Sequence, residues 1–267
     1  MICSRDRPRA YCGRIWGVQF EEQVVKRSVV LPVYNEGETI ALTIRAVERE
    51  IAEWPDVEII ICDNASTDNT VEVVDGLAAK DRRIRLLPAD KNRLYAWNVD
   101  RGIKAATGDR IFVLDGDGQF PPSVFHDLDA ELAAGAGLVL GHRTARVGGP
   151  VRIVASYTYL ILCRLYIGFD LRDINAGARG LSRDFANVVD VKYLQMMVNP
   201  ELFAAARSKG FPIREVSVGH EHRVAGTTSH VFSKPWELVA QAVRYFSFLR
   251  RTYRPLGPPR LTRRIQS

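Results

Sequence analysis

Short apolar runs alternate with amphipathic stretches through the first half of the chain. Four apolar runs have the length and composition of buried strands: 28–33, 57–62, 84–87 and 111–114. Each is followed by a stretch with apolar residues at helical spacing: 38–53, 70–79, 94–106 and 123–134. Four strand–helix units in succession predict an α/β fold, in which a mostly parallel central sheet carries helices on both faces.

The second half of the chain is less regular. Its predicted elements are a strand at 137–141, helices at 151–169 and 200–209, a short strand after the loop 173–179 and a strand at 213–218. The apolar helix carries only Arg152 and Arg164 as charged residues, and it is too short and too interrupted to predict a membrane span. Residues 219–233 are polar and contain glycine, which predicts a mobile loop.

The C-terminal stretch has the pattern of an amphipathic helix. From Trp236 onward, one side is apolar: Leu238, Ala242, Tyr245, Phe246, Leu249 and Tyr253. Arginines stand beside it: Arg244, Arg250, Arg251 and Arg254. This pattern predicts a helix in a membrane interface, with its apolar side on lipid and its arginines on lipid phosphates. The alternative is a helix that packs on the body by the same apolar side.

We therefore divide the chain into an N-terminal extension (1–26), a central domain (27–230) and an amphipathic helix with a basic tail (231–267). The chain has 267 residues, of which 46% are hydrophobic, so it can bury a substantial core. The four cysteines have no metal-type spacing and are expected to be thiols in a reducing compartment. We see no signal peptide at the N-terminus.

Charge is unevenly distributed over the net +6 of the chain. From Arg244 onward there are seven arginines and no acidic residue, and residues 1–14 hold four arginines and one aspartate. The rest carries 26 basic and 30 acidic residues. Basic ends indicate contact with a polyanionic surface, unless they are solvated tails. The acidic body and the lack of an aromatic–basic face argue against nucleic acid as the partner.

The candidate chemistry lies where the predicted strands end. Asp115 and Asp117 follow the strand 111–114 and are separated by one glycine, and Asp63 follows the strand 57–62. In parallel sheets of this kind the ligand binds beyond the carboxyl ends of the strands. Two neighbouring carboxylates there form a hard oxygen site suited to Mg²⁺ or Mn²⁺ carrying a diphosphate, and the alternative is a solvated acidic turn.

Four segments together resemble the family 2 glycosyltransferases of the GT-A fold, and most of all their polyprenol-phosphate (dolichol-phosphate) sugar synthase branch. They are SVVLPVYNEGETI, CDNASTDNT, GDRIFVLDGDGQFPP and DINAGARGLSR, and the resemblance covers roughly residues 27–230. The chain departs from the family at 92–97, where bulky residues replace a glycine-rich stretch, and it lacks the Gln-x-x-Arg-Trp signature of processive polysaccharide synthases.

The resemblance implies a role for each matching residue. The donor's nucleobase and ribose would contact Pro32, Tyr34, Asn35, Glu36, Glu38 and Asp63. The metal and diphosphate would be held by Asp115, Asp117 and Gln119. Basic and acceptor-side roles would belong to Arg143, Asp173, Arg179, His220 and Arg223. From the residues alone, Asp63 is equally a helix cap, and Asp68 is a candidate cap of the helix that follows.

The expected activity is inverting, metal-dependent transfer of a sugar from a nucleotide-diphosphate sugar, of GDP-mannose or UDP-glucose type, to polyprenyl phosphate. The protein would be cytoplasmic, with a peripheral contact to the inner face of the cell membrane. A phosphate acceptor needs no strong base, whereas a hydroxyl acceptor would need one, for which Asp173 is the first candidate. Two alternatives stay open: a soluble glycosyltransferase acting on a glycan or small-molecule hydroxyl, and a non-catalytic nucleotide-sugar-binding subunit.

Overall fold

A computed structural model describes residues 24–144, 150–168, 170–173, 176–193, 198–220 and 235–253. The strands are β1 (Arg27–Val33), β2 (Val57–Asp63), β3 (Ile84–Leu87), β4 (Arg110–Val113), β5 (Leu138–Arg143), β6 (Arg179–Ser182) and β7 (Ile213–Val218). The helices are α1 (Ile40–Glu50), α2 (Thr70–Ala78), α3 (Tyr95–Ala105), α4 (Val124–Ala133), α5 (Pro150–Ile167), α6 (Arg183–Val188), α7 (Asn199–Ser208) and α8 (Pro235–Thr252).

The seven strands form one sheet in the order β3-β2-β1-β4-β6-β5-β7. All neighbouring pairs are parallel except those of β6, which runs antiparallel to both β4 and β5. The helical crossovers between β1, β2, β3 and β4 allow parallel pairing, because each helix returns the chain to the same edge of the sheet. The predicted mostly parallel α/β sheet is confirmed, and β6 is its one reversal among the described strands.

Alternation along the strands divides the core into two layers. Val29 and Leu31 of β1 lie in the cluster that includes residues of α1, α2 and α4, whereas Val30 lies in the cluster on the other face with α3, α5, α7 and α8. Successive strand residues point to opposite faces, so continuous apolar runs supply both layers at once. The apolar clusters on the two faces of the sheet therefore hold the carboxyl ends of β1, β2 and β4 in place.

Helix α8 packs by its apolar side on the body of the protein. Ala242, Tyr245, Phe246, Leu249 and Tyr253 are all buried, and the Phe246 ring lies 5.4 Å from that of Tyr159 and 5.6 Å from that of Tyr166 on α5. The prediction that this side of the helix rests on lipid is wrong for these residues, since other side chains already cover them. Leu238 lies among the residues whose side chains are not described.

The six-residue helix α6 was not predicted from the pattern. Ser182 caps it, because the Ser182 Oγ accepts the Phe185 N–H at 3.2 Å.

No helix in the described ranges combines the length and the apolarity needed to cross a bilayer. Residues outside the described ranges include 1–23 of the predicted extension (1–26), most of the predicted loop at 219–233 and the basic tail from residue 254.

Candidate functional site

Three turns meet at the carboxyl edge of the sheet, because β2, β1 and β4 are neighbours there. Val33 at the end of β1 pairs with Asp63 at the end of β2, and Gly116 after β4 donates its N–H to the Pro32 carbonyl at 3.3 Å. Pro32 is buried within β1. The predicted donor and metal residues of the first 120 positions are therefore brought to one edge, as expected.

The turns after β1 and β2 are joined by hydrogen bonds. Asn35 has a φ of 55°, and its N–H donates to Ser66 Oγ at 2.9 Å while its Oδ1 accepts the Thr67 N–H at 2.8 Å. Glu36 is buried, and its carboxylate accepts the Thr39 hydroxyl at 2.8 Å. Asn35 adopts the left-handed region, where asparagine is more tolerated than most residues. Its polar side chain thus fixes the shape of the β1 turn.

Other candidates near these turns differ in exposure. Tyr34 is half-buried, whereas Glu38 is exposed. Asp63 is buried, and its carboxylate accepts the Ser66 N–H at 3.1 Å, so it closes its own turn and does not cap α2. Asp68 accepts the Thr70 N–H at 3.0 Å at the start of α2, although the residue in the N-cap position is Asn69.

Asp115 is enclosed by groups from three parts of the chain. The Tyr95 hydroxyl donates to its Oδ1, and Arg179 Nη2 lies 4.0 Å from the same oxygen. A Cβ at Gly177 would lie only 2.0 Å from Oδ2, so this position requires glycine for the carboxylate to fit. Burial raises the pKa of Asp115 to about 6, against the opposing Arg179 charge and with the charges of Asp117 and Glu36 adding to the rise. Burial therefore disfavours the charged carboxylate, and a bound cation would favour it.

Asp117 and Gln119 lie on the same turn and are half-buried. The Gln119 N–H donates to Asp117 Oδ1 at 3.1 Å, which orients the second carboxylate. In the described part of the chain, no group of three or more His, Cys, Asp or Glu side chains converges on one metal position. Two carboxylates and one amide oxygen nevertheless fit Mg²⁺ or Mn²⁺, because such ions are held by one or two carboxylates and complete their shell with phosphate oxygens and water.

On the other side of the rim, two predicted site residues bind each other. Arg143 at the end of β5 donates to Asp173 through Nε at 2.6 Å and Nη2 at 2.9 Å, and the side chains are only 12% and 3% exposed. This is a bidentate ion pair, which fixes both planar groups. The structure therefore pairs Arg143 with Asp173, whereas the resemblance implied a separate role for each residue.

Arg179 is almost completely buried, at 2% exposure. Its Nη2 donates to the Tyr95 hydroxyl at 2.8 Å, and its guanidinium carbon lies 5.7 Å from the centre of the Tyr95 ring. Its Nε and Nη1 have no hydrogen-bond partner among the residues that the structure describes. A buried guanidinium with unsatisfied N–H groups lacks acceptors that an anionic group would supply.

His220 contacts the same region from the segment that follows β7. Its ring lies 5.2 Å from the ring of Phe120, on the loop that follows Gln119. Arg223, which the resemblance pairs with His220, lies outside the described residues.

Sequence reasoning missed Tyr95 as a member of this site. The segment 92–97 is bulky where the family has glycines, but its pattern predicts no role for any residue in it. Gly177 was also missed, because its importance comes from the carboxylate beside it and not from its own turn. The bulky substitution itself was the signal available for Tyr95.

Comparison with known proteins gives both a family and named relatives. The sequence pattern of Glycosyl transferase family 2 matches residues 28–189. Glycosyltransferase AglD of Haloferax volcanii is 30% identical over 261 residues, covering 90% of this chain and 39% of that protein. Dolichyl-phosphate beta-glucosyltransferase ALG5C of Trichomonas vaginalis is 27% identical, covering 74% of this chain and 65% of that protein. Polyprenol monophosphomannose synthase of Mycolicibacterium smegmatis is 28% identical, with 75% and 79% covered. The chain thus spans less than two thirds of the first two relatives.

Solved structures resemble the chain in fold. Glucosyl-3-phosphoglycerate synthase of Mycobacterium tuberculosis, in complex with Mn²⁺, UDP and glucosyl-3-phosphoglycerate, superposes with a TM-score of 0.60 at 19% identity and covers 88% of this chain and 81% of that one. Mannosyltransferase PcManGT of Pyrobaculum calidifontis, in complex with GDP-Man and Mn²⁺, gives a TM-score of 0.56 at 17% identity, with 82% and 64% covered. These likenesses confirm the predicted GT-A fold.

Proposed function

Since the chain belongs to glycosyl transferase family 2, we propose that it transfers a sugar from a nucleotide-diphosphate sugar to polyprenyl phosphate. The observation that carries this proposal is the meeting of Asp63, Asp115, Asp117 and the β1 turn at one edge of the sheet. Two of the relatives reported above carry dolichyl phosphate or polyprenol monophosphomannose in their names, which supports a polyprenyl phosphate acceptor.

The donor would lie across the carboxyl edge. Its nucleobase and ribose would contact Pro32, Tyr34, Asn35, Glu36, Glu38 and Asp63, and its diphosphate would face Asp115, Asp117 and Gln119. The same three residues would hold Mg²⁺ or Mn²⁺, and the ion would neutralise the charge that develops on the leaving diphosphate. The two solved relatives contain UDP or GDP-Man together with Mn²⁺, which supports this donor class.

The reaction is a single displacement at the anomeric carbon. An oxygen of the acceptor phosphate forms the new bond as the bond to the nucleotide diphosphate breaks, so configuration is inverted. A phosphate monoester is already anionic at neutral pH and needs no strong base. This suits a site in which Asp173, the candidate base, is held in a bidentate pair with Arg143. The engaged Asp173 carboxylate favours the phosphate acceptor over a hydroxyl.

We place the peripheral membrane contact on α5 and not on the apolar side of α8. Tyr157, Ile161 and Leu165 follow one another at four-residue intervals and are 52%, 52% and 73% exposed. Arg164 is exposed beside them, and no acidic residue occurs between positions 150 and 168. An apolar stripe with a basic neighbour is suited to the interface of an anionic bilayer, where polyprenyl phosphate resides. The face concerned would be the cytoplasmic one.

The test is transfer to matched lipids that differ only in the phosphate. The full chain is incubated with UDP-glucose or GDP-mannose, Mn²⁺, and either a polyprenyl phosphate or the polyprenol of equal length. We expect a glycolipid product from the phosphate only, and none when EDTA replaces Mn²⁺. Transfer to the alcohol but not the phosphate would contradict the proposal and favour a hydroxyl acceptor. Donor binding without transfer to either lipid would favour a non-catalytic subunit.

A further inference from the structure

The Tyr95 phenol stands between a carboxylate and a guanidinium that are both mostly withdrawn from water. Its hydroxyl donates to Asp115 Oδ1 and accepts from Arg179 Nη2 at 2.8 Å. The two charged groups are 4.0 Å apart, a distance at which they do not hydrogen-bond directly. The Tyr95 hydroxyl therefore lies between the members of a 4.0 Å ion pair and takes the place of a direct hydrogen bond between them.

The backbone before Tyr95 is strained in a way that fixes this placement. Leu94 has a φ of 71° and a ψ of 167°, a region that is almost restricted to glycine and strained for a residue with a side chain. Asparagine side chains hold the loop, since the Arg93 N–H donates to Asn64 Oδ1 and the Leu94 N–H donates to Asn92 Oδ1, both at 3.0 Å. The strained residue immediately precedes the side chain that reaches Asp115.

A direct Asp115–Arg179 pair would remove two functions of the site. A carboxylate neutralised by a guanidinium binds a divalent cation less well, because the cation must displace or tolerate the positive charge. The guanidinium would also turn its N–H groups towards Asp115, whereas Nε and Nη1 are buried without a hydrogen-bond partner in the described residues and would be satisfied by an anionic group. The neutral Tyr95 hydroxyl binds one atom of each group and adds no charge of its own.

Resting on the proposed function, we infer that Tyr95 is a positioning residue that keeps Asp115 available to the divalent cation and Arg179 available to an anionic group of the substrate. Tyr95 lies in the bulky segment 92–97, which replaces the glycine-rich stretch of the family. A positioning role for Tyr95 would give this substitution a function.

The test is a double-mutant cycle read out by metal binding. Free Mn²⁺ is measured by electron paramagnetic resonance while the full chain is titrated, first with Mn²⁺ alone and then with UDP or GDP present. Tyr95→Phe keeps the ring and removes only the hydroxyl, so Arg179 can close on Asp115, and we expect the Mn²⁺ affinity to fall about tenfold. In an Arg179→Gln background the same change is expected to alter the affinity by less than about twofold, because no guanidinium is left to hold off.

Tyr159→Phe is the matched control, since Tyr159 lies on α5 against Phe246 of α8 and is expected to leave Mn²⁺ affinity unchanged. Mn²⁺ affinity of Tyr95→Phe within twofold of the wild type would overturn the inference while leaving the metal site intact. An equal loss in both backgrounds would assign Tyr95 a merely structural role and would also overturn it. A wild-type chain that binds no Mn²⁺ would contradict the proposed metal site and, with it, this inference.

Discussion

The donor and acceptor sides of the rim are held together by different kinds of interaction. On the donor side, the turns after β1 and β2 are joined by neutral or singly charged hydrogen bonds, such as those of Asn35 to Ser66 and Thr67. On the acceptor side, Arg143 and Asp173, 30 residues apart in sequence, form a bidentate ion pair with both side chains almost fully buried.

The difference shows how the two sides would respond to change. A neutral hydrogen bond between two turns leaves no buried charge behind when one partner is altered, so the loss is small. A buried ion pair fails when either partner is removed, because the other charge is left without compensation. We therefore expect substitutions on the donor side to affect ligand binding first, and substitutions in the Arg143–Asp173 pair to affect the fold first.

The largest effect is expected from Asp117→Asn on the donor side. Loss of one carboxylate from the proposed metal site should lower kcat/KM on the order of 10²–10³-fold, the usual range for removing one stabilising group from a transition state. The melting temperature should change little, because the side chain is half-buried and mainly orients its own turn. Asp127→Asn, on the exposed side of α4, is the matched control. Turnover as fast as that of the wild type would remove Asp117 from the site.

The next effect should appear on the acceptor side, as lost stability. Asp173→Ala leaves the Arg143 guanidinium buried without its partner, and breaking such a pair typically costs about 3–5 kcal/mol. Denaturant unfolding of Asp173→Ala and of the double variant Arg143→Met/Asp173→Ala measures this cost. We expect the double variant to recover part of the loss, because it buries no unpaired charge. Equal destabilisation of both variants would show that the pair is not the source.

A smaller effect is expected at the exposed stripe of α5. Leu165→Glu replaces an apolar side chain with a charge that anionic lipid repels, so binding to vesicles containing phosphatidylglycerol should weaken about tenfold. Leu42→Glu is the matched control, since Leu42 is 59% exposed on α1, which packs on the opposite face of the sheet. Vesicle sedimentation separates the outcomes, and equal weakening by both changes would refute the assignment of the membrane contact to α5.

The smallest effect is expected for the pH dependence of stability. It depends on Asp129, which forms ion pairs with Arg27 and Arg110. Burial raises the pKa of Asp129, but hydrogen bonds and charges from the two arginines outweigh it and hold the pKa below the ordinary 3.8. Because the pKa of Asp129 is lower in the folded state, its carboxylate adds to the free energy of unfolding above pH 3.8. This contribution is lost as the pH falls through the folded-state pKa. We expect the unfolding free energy of Asp129→Asn to fall less steeply than that of the wild type as the pH drops below 3.8. An unchanged slope would contradict the assignment.

Much of the donor half was predictable from the sequence, because strand, glycine turn and acids are adjacent in residues 111–117. The acceptor half was less so. The Arg143–Asp173 pair depends on where two separate loops meet, which no local pattern records. Helix α6 is too short to show a period, and the chain reversal at β6 leaves no trace in its composition.

Helix α8 shows the limit of periodicity more sharply. The pattern gave the correct apolar side, including Tyr245 and Phe246, but it did not tell whether lipid or protein covers that side. The exposed stripe on α5 could not be predicted, because a helix that is apolar nearly all round gives no contrast between its buried and exposed faces. Tyr95 was missed because its role exists only beside Asp115 and Arg179.

The most direct measurement is calorimetric titration of UDP-glucose and GDP-mannose into the full chain, with Mn²⁺ and with EDTA. The account predicts that at least one of the two donors binds with Mn²⁺, and that its affinity falls at least tenfold in EDTA and in Asp117→Asn. Binding of neither donor, or equal affinity in all three conditions, would contradict a metal-dependent nucleotide-sugar site at the carboxyl edge of β1, β2 and β4.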